Sequence, residues 1–183
     1  MTHDRRAFQV LAVAAALTAL PLATPEVVEA QTHQSAPAPS TSTLRFTLGA
    51  TLGAGPAYPS DGGATGGLTY ERGGHAGGIR AALVGGVLAE TYADVALLYG
   101  RVWRGERGFA SFSAGPGYVM INETSCLFCR PVESEHTLGA ALSADWGYAL
   151  WRHFGIGVSA FANINAKQSF GGTALAFSLG RLL

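Results

Sequence analysis

The residues best suited to chemistry in this 183-residue chain are Cys126 and Cys129, in the run Ser125-Cys126-Leu127-Phe128-Cys129-Arg130-Pro131. Two thiols this close can close a small disulfide, the leading reading for a chain that meets an oxidising compartment. A metal site with His136 is the alternative, although one Cys-x-x-Cys supplies only two ligands. A redox-active pair would want a thioredoxin-like βαβ setting, and none surrounds it. Leu127 and Phe128, between the thiols, offer a small apolar contact surface for a partner. His136, beside Glu135 and near Ser134, is the candidate for an acyl hydrolase, which needs its His, Ser and acid at one level. Lys167 is the only lysine and follows Ala166, so no Gly-Lys-Ser/Thr phosphate loop exists. There is no Gly-x-Ser-x-Gly elbow either, and no cofactor or metal is expected.

The elements that must position these residues alternate apolar and polar with a period of two. In the first, Thr43 to Ala54, Leu44, Phe46, Leu48, Ala50, Leu52 and Ala54 interleave with Arg45, Thr47, Thr51 and glycines. Seven more follow, at about Thr65–Glu71, Ala76–Leu88, Tyr92–Trp103, Gly108–Met120, Thr137–Ala149, Phe154–Asn165 and Thr173 to the end. Alternation of this kind marks strands with one apolar and one polar face. Pro116 cannot donate to a ladder, so a bulge or bend is expected there. The connections alternate in length: tight at Gly73-Gly74, Gly105-Glu106 and Trp151-Arg152, longer at Ala57–Ala64 and Ile121–His136. Eight strands, each about as long as the 9–11 residues that cross a bilayer when tilted, with short and long connections in turn, describe an all-β, eight-stranded antiparallel up-and-down transmembrane β-barrel. Short turns then face the periplasm and long loops the exterior.

Arg5 and Arg6 precede an apolar run to about Ala23, and Val28-Glu29-Ala30 has the form of a cleavage site. Residues 1–30 therefore read as a cleaved signal peptide, 31–42 as a flexible periplasmic lead-in and 43–183 as the barrel domain. Removing residues 1–30 takes away two basic and three acidic side chains of twelve each and leaves ten against nine. Such a balance gives no basic surface for nucleic acid.

An eight-stranded barrel has an interior just wide enough for side chains to fill it. Arg45, Glu71, Arg80, Asp94 and Asp145 all fall on the polar face. Since an unpaired buried charge is very costly, they should form a luminal ion-pair network. Small luminal residues leave room for trapped water. Arg101 falls on the apolar face, near a strand end. Tyr70, Trp103, Trp146, Tyr148, Trp151 and Phe154 gather near the short turns as an aromatic girdle, with Tyr58, Tyr92 and Tyr118 as a sparser one at the far end.

From Thr43 to Leu183 this arrangement resembles the small eight-stranded outer-membrane barrels of the OmpA and OmpX type. Those barrels commonly end in an aromatic residue, whereas here Phe177 is the nearest upstream candidate to Leu183. The resemblance implies a Gram-negative outer-membrane location. It also implies outer-membrane lipid and lipopolysaccharide as surroundings, and the barrel-assembly machinery as a partner in biogenesis. The function expected is structural or surface-interacting, with a packed lumen, no open pore and an extracellular partner at the Ile121–His136 loop. A lipid-modifying outer-membrane enzyme, hydrolase or transferase, and a soluble lipocalin-like carrier are the alternatives.

Overall fold

The computed structural model describes residues 42–54, 61–85, 91–123 and 133–182, all within one compact unit, Ser42–Leu183. The signal-peptide and lead-in assignments, Tyr58, and Cys126, Leu127, Phe128 and Cys129 lie outside the described residues. Eight strands follow in order: β1 Thr43–Ala54, β2 Asp61–Arg72, β3 His75–Gly85, β4 Thr91–Arg104, β5 Gly108–Glu123, β6 Glu133–Trp151, β7 Phe154–Asn165 and β8 Phe170–Gly180. Each pairs antiparallel with the next, and β8 pairs back onto β1 to close the barrel. Closure leaves no free sheet edge, so every strand has two ladder partners.

The register puts one class of residue on each surface. Arg45, Thr65, Glu71, Arg80, Asp94, Ser111, Ser143 and Ser159 point inward and are buried. Large apolar side chains stand exposed outside on all eight strands, among them Leu44, Leu68, Ile79, Leu97, Phe112, Leu138, Val158 and Leu175. The core is thus the lumen, and the exterior is the apolar surface.

Turn chemistry explains the tight connections. Gly73 and Gly74 both have positive φ, 59° and 78°, as a two-residue type I′ hairpin demands at both central positions. Backbone hydrogen bonds then tie neighbouring turns together: Val102 N to Gly74 O at 3.0 Å, Ala149 N to Arg107 O at 2.7 Å and Leu182 N to Arg152 O at 2.9 Å. The short-turn end is consequently a braced rim.

Three expectations change. The β5–β6 hairpin runs further than its alternation suggests, with Ile121, Asn122 and Glu123 paired to Glu135, Ser134 and Glu133. The long connection therefore spans only 124–132, not Ile121–His136. Ile121 faces inward and is buried, and Ser134 donates to Asn122 Oδ1 at 2.9 Å, so this extension is held on both faces. Similarly β2 begins at Asp61, because Gly62 and Gly63 pair with Leu52 and Thr51 without any side chain to advertise a face. Finally, Pro116 makes no bulge. Pairing to β4 lapses between Ala96–Gly117 and Tyr99–Ala114 with the register unchanged, while Pro116 stays paired with Ala140 on the other side. The one register shift of the β6–β7 ladder lies instead between Ala149 and Trp151.

Next to Pro116 the strands come unusually close: a Cβ on Gly115 would lie 1.9 Å from the Leu97 carbonyl oxygen. Backbone, not a movable side chain, is in the way. Gly115→Val should lower barrel stability by about 1–3 kcal/mol, the usual cost of overpacking. Gly62→Ala, with nothing within 4 Å, should stay within about 0.5 kcal/mol. Urea unfolding of the refolded barrels measures both, and equal midpoints would show that the close β4–β5 approach does not exist.

Candidate functional site

The barrel interior is built in layers. At the short-turn end, Arg45 of β1, Glu71 of β2 and Arg104 of β4 converge because all three occupy inward positions near their strand ends. Arg45 Nε donates to Glu71 Oε1 at 3.0 Å. Arg104 donates to Glu71 Oε2 through Nη2 at 2.6 Å and through Nε at 3.1 Å. Its Nη1 holds the Leu182 carbonyl at 3.0 Å, fixing the chain beyond β8. Glu71 is therefore clamped between two guanidiniums. The Arg45 guanidinium also lies 4.1 Å from the Phe109 ring centroid, and Phe109, Ala149 and Leu182 close this end as a small apolar cluster.

Deeper in the lumen, Arg45 Nη2 stands 3.9 Å from Asp145 Oδ2. Asp145 accepts hydrogen bonds from Ser111 Oγ at 2.9 Å and Ser159 Oγ at 2.6 Å, one hydroxyl from each flanking strand. Its side chain keeps 21% exposure, against 4% for Glu71 and none for Asp94, and it lines a luminal cavity of about 40 Å³ with Arg45, Arg80 and several hydroxyls. A space of that volume, with charged and hydroxyl groups in its wall, admits roughly two to four waters. Arg45 Nη1 and Arg80 Nε have no protein partner, which suits such water. Small organic ligands need cavities of about 300 Å³ or more.

The second ionic centre crosses the lumen. Arg80 of β3 pairs with Asp94 of β4 at 2.5 Å and donates to the Leu142 carbonyl of β6 at 2.6 Å. Asn163 of β7 donates to Asp94 Oδ2 at 3.1 Å, and the Arg80 guanidinium lies 5.0 Å from the Phe161 ring centroid. Beyond it the long-connection end is apolar: Val84, Tyr92, Val119, Ile121, Phe161 and Phe170 pack as one buried cluster. The expectation of an inner face made of polar or small residues is thus corrected at this end. A closed interior has to be filled, and near its end apolar side chains fill it as well as polar ones.

All five expected luminal charges lie inside, in two groups: Arg45, Glu71 and Asp145, and Arg80 with Asp94. Arg104 and Asn163 were not among them. Arg104 stands one residue past the expected end of its strand, yet it continues the inward series Asp94, Ala96, Val102 and so was findable from period alone. With it, three guanidiniums face three carboxylates. Tyr92 is a second correction: far from belonging to an outer girdle, it is 1% exposed, stacks on Phe170 at 5.4 Å and donates to Gln168 Oε1 at 2.8 Å. Its even number gives it the same face as Asp94. Tyr70, Trp103, Trp146, Tyr148 and Trp151 are exposed on the outside towards the short turns, with Phe154 between Trp151 at 5.6 Å and Phe177 at 6.0 Å.

Among the described residues His136 does not meet the partners that hydrolysis needs. It is exposed, stacks on Tyr118 at 5.8 Å and has its Nδ1 3.0 Å from the Tyr118 hydroxyl. Ser134 is turned to Asn122 and Glu135 to Lys167 at 3.3 Å. Among the described residues no group of three His, Cys, Asp or Glu is placed to hold a metal.

Breaking the buried clamp and breaking the exposed pair should differ sharply. Glu71→Gln leaves two guanidiniums facing an amide and should cost about 3–5 kcal/mol, as expected when one member of a buried pair is lost. Glu135→Gln removes only a solvated pair worth about 0–1 kcal/mol. Urea titration of the folded barrels checks the ranking, and similar losses would mean that the clamp does not hold the strands together.

No family model matches the chain, and no curated protein matches it. Solved structures do. The attachment invasion locus protein Ail of Yersinia pestis superposes with a TM-score of 0.54 at 17% identity, covering 76% of this chain and 97% of that one; Ail has also been solved with the heparin analogue sucrose octasulfate. Neisserial surface protein A gives 0.53 at 7% identity, over 78% and 99%. The N-terminal β-barrel domain of Pseudomonas aeruginosa OprF gives 0.51 at 13% identity, over 78% and 99%. Each comparison covers nearly the whole of the other chain, so the likeness extends to the complete barrel. This chain is a closed eight-stranded antiparallel barrel and shares that fold with these three structures.

Proposed function

We propose that the chain is an integral outer-membrane barrel with a structural or surface-interacting role, its lumen closed to solutes and its long connections outside. One observation carries this reading: the molecule is inverted. Arg45, Glu71, Arg80 and Asp94 are buried, while Leu52, Leu97, Leu138 and Ile164 are more than half exposed. In water that outer surface would far exceed the few hundred Å² of contiguous apolar patch that soluble monomers tolerate. In a bilayer it is the correct solvent contact, and closure satisfies the backbone polar groups that lipid cannot. The aromatics near the short turns then lie at headgroup level. The fold shared with Ail, Neisserial surface protein A and the OprF barrel supports the same location.

A surface role falls to the long connections, including 124–132, with Cys126 and Cys129 as a disulfide stiffening the Leu127-Phe128 contact. The charge there selects the partner. By sequence position this end has Asp61, Glu90, Glu123, Glu133 and Glu135 against Arg130 and Lys167. A sulfated polyanion of the kind solved with Ail would be repelled, so a neutral or cationic partner fits better.

Fractionation of cells with an unheated and heated electrophoresis pair tests the membrane reading. The chain should sediment with outer membranes and resist carbonate extraction. Unheated it should migrate differently from the boiled chain, because a closed barrel resists unfolding by detergent. Recovery in aqueous buffer without detergent, with one mobility, would instead indicate the soluble carrier.

A further inference from the structure

The near-neutral composition conceals a separation of charge along the barrel axis. The lumen balances itself, with Arg45, Arg80 and Arg104 against Glu71, Asp94 and Asp145. The short-turn end has Arg72, Arg101, Arg107, Arg152 and Arg181 against Glu106 alone. All five of these arginines are exposed, and among the described residues none of their guanidiniums has an ion-pair or hydrogen-bond partner.

Two placements make this more than an ordinary solvated surface. Arg101 is on the outward face of β4 between Tyr99 and Trp103, opposite His75 on β3 and Phe112 on β5. It therefore sits among the aromatics on the lateral surface and not on the end of the barrel. Arg152 and Arg181 are brought together by the backbone, through Gly180 N to His153 O at 3.1 Å and Leu182 N to Arg152 O at 2.9 Å. Two cationic residues are thereby anchored on adjoining stretches of backbone, and neither has an acidic partner among the described residues.

We propose that the short-turn rim is a collar that binds the headgroups of anionic phospholipids in the leaflet around it. The proposal rests on the membrane reading above. Guanidinium donors match phosphate oxygens in a bidentate fork, and they remain charged at any physiological pH. The depth of Arg101 favours a lipid over a soluble polyanion or a cell-wall polymer. Such a partner would meet the turns but not the lateral face, whereas headgroup phosphates lie at the level of the aromatic girdle. The acidic residues at the far end confine this preference to one rim.

The chain's three tryptophans, Trp103, Trp146 and Trp151, all lie near this rim and serve as reporters. The full chain is refolded into nanodiscs of phosphatidylcholine with about one-fifth phosphatidylglycerol. Either lipid is brominated just below its headgroup, and quenching is compared per brominated molecule. Phosphatidylglycerol should show a relative association of about five-fold or more, the factor one cation gains near an anionic surface. Raising the salt should bring this towards parity. Arg101→Gln/Arg152→Gln/Arg181→Gln should abolish the preference, and the corresponding triple Lys variant should keep most of it.

Equal quenching by the two lipids in a barrel that still shows heat-modifiability would overturn the collar while leaving the membrane reading intact. So would a preference that survives the triple Gln change, or one insensitive to salt in the unsubstituted chain should that variant not fold. Binding of soluble peptidoglycan fragments without a lipid preference would overturn it too and assign the rim to the cell wall. Failure to enter nanodiscs at all would defeat the membrane reading and the collar together.

Discussion

A closed barrel with a two-residue period gives a charged side chain on its inner face nowhere to go. The outer surface is apolar and the lumen is too narrow for bulk water, so each buried charge must find its opposite within a few ångströms. The Glu71 clamp is the clearest solution. One carboxylate, 4% exposed, receives Arg45 from one neighbouring strand and Arg104 from two strands away. It thereby spans β1, β2 and β4 with charge-assisted bonds. Through the Leu182 carbonyl, the same Arg104 anchors the segment that follows the closing strand. Strand pairing, barrel closure and charge neutrality are consequently not separable features here.

The layered interior follows from the same constraint. Ion pairs occupy the levels where two or three opposite charges can reach one another. Between them Asp145 depends on hydroxyls from Ser111 and Ser159 and on space for water. Where no charge is present, the lumen is closed by aromatic and branched side chains around Tyr92 and Phe161. An apolar cluster towards one end and a charged clamp at the other thus fill the interior from both directions. The outer surface has its own logic, with leucines along the strands, aromatics towards the short turns and unpaired arginines among them and beyond. That order follows the polarity of a membrane leaflet from chain to headgroup.

Much of this was legible in the residues themselves. Alternation from Leu44 to Ala54 identifies both faces of β1, and the same reading puts Arg80, Asp94 and Asp145 inside. What alternation cannot convey is where a strand stops. Glu133, Ser134, Glu135 and His136 show no apolar series, yet they extend β6 because the β5 backbone opposite offers partners. Arg104 is a different case, because the inward series of β4 runs on through it and the strand needs only one residue more than Trp103 to include it. Nor does period two reveal which inward residues touch. Asn163 meets Asp94 from a strand far away in sequence, a contact set by barrel closure alone. Tyr92 shows the converse error, in which residue type suggested a membrane aromatic although its parity placed it in the lumen.

The account depends most on which face of a strand meets lipid, and nitroxide scanning along β1 measures that directly. Single spin labels from Leu44 to Leu52 in the reconstituted barrel should report high oxygen collision rates at Leu44, Phe46, Leu48, Ala50 and Leu52. Rates should be low at Arg45, Thr47, Gly49 and Thr51, tracing the two-residue period of the strand. A flat profile, or high access of a water-soluble relaxant at the even positions, would contradict an apolar exterior in lipid around a charged, closed interior.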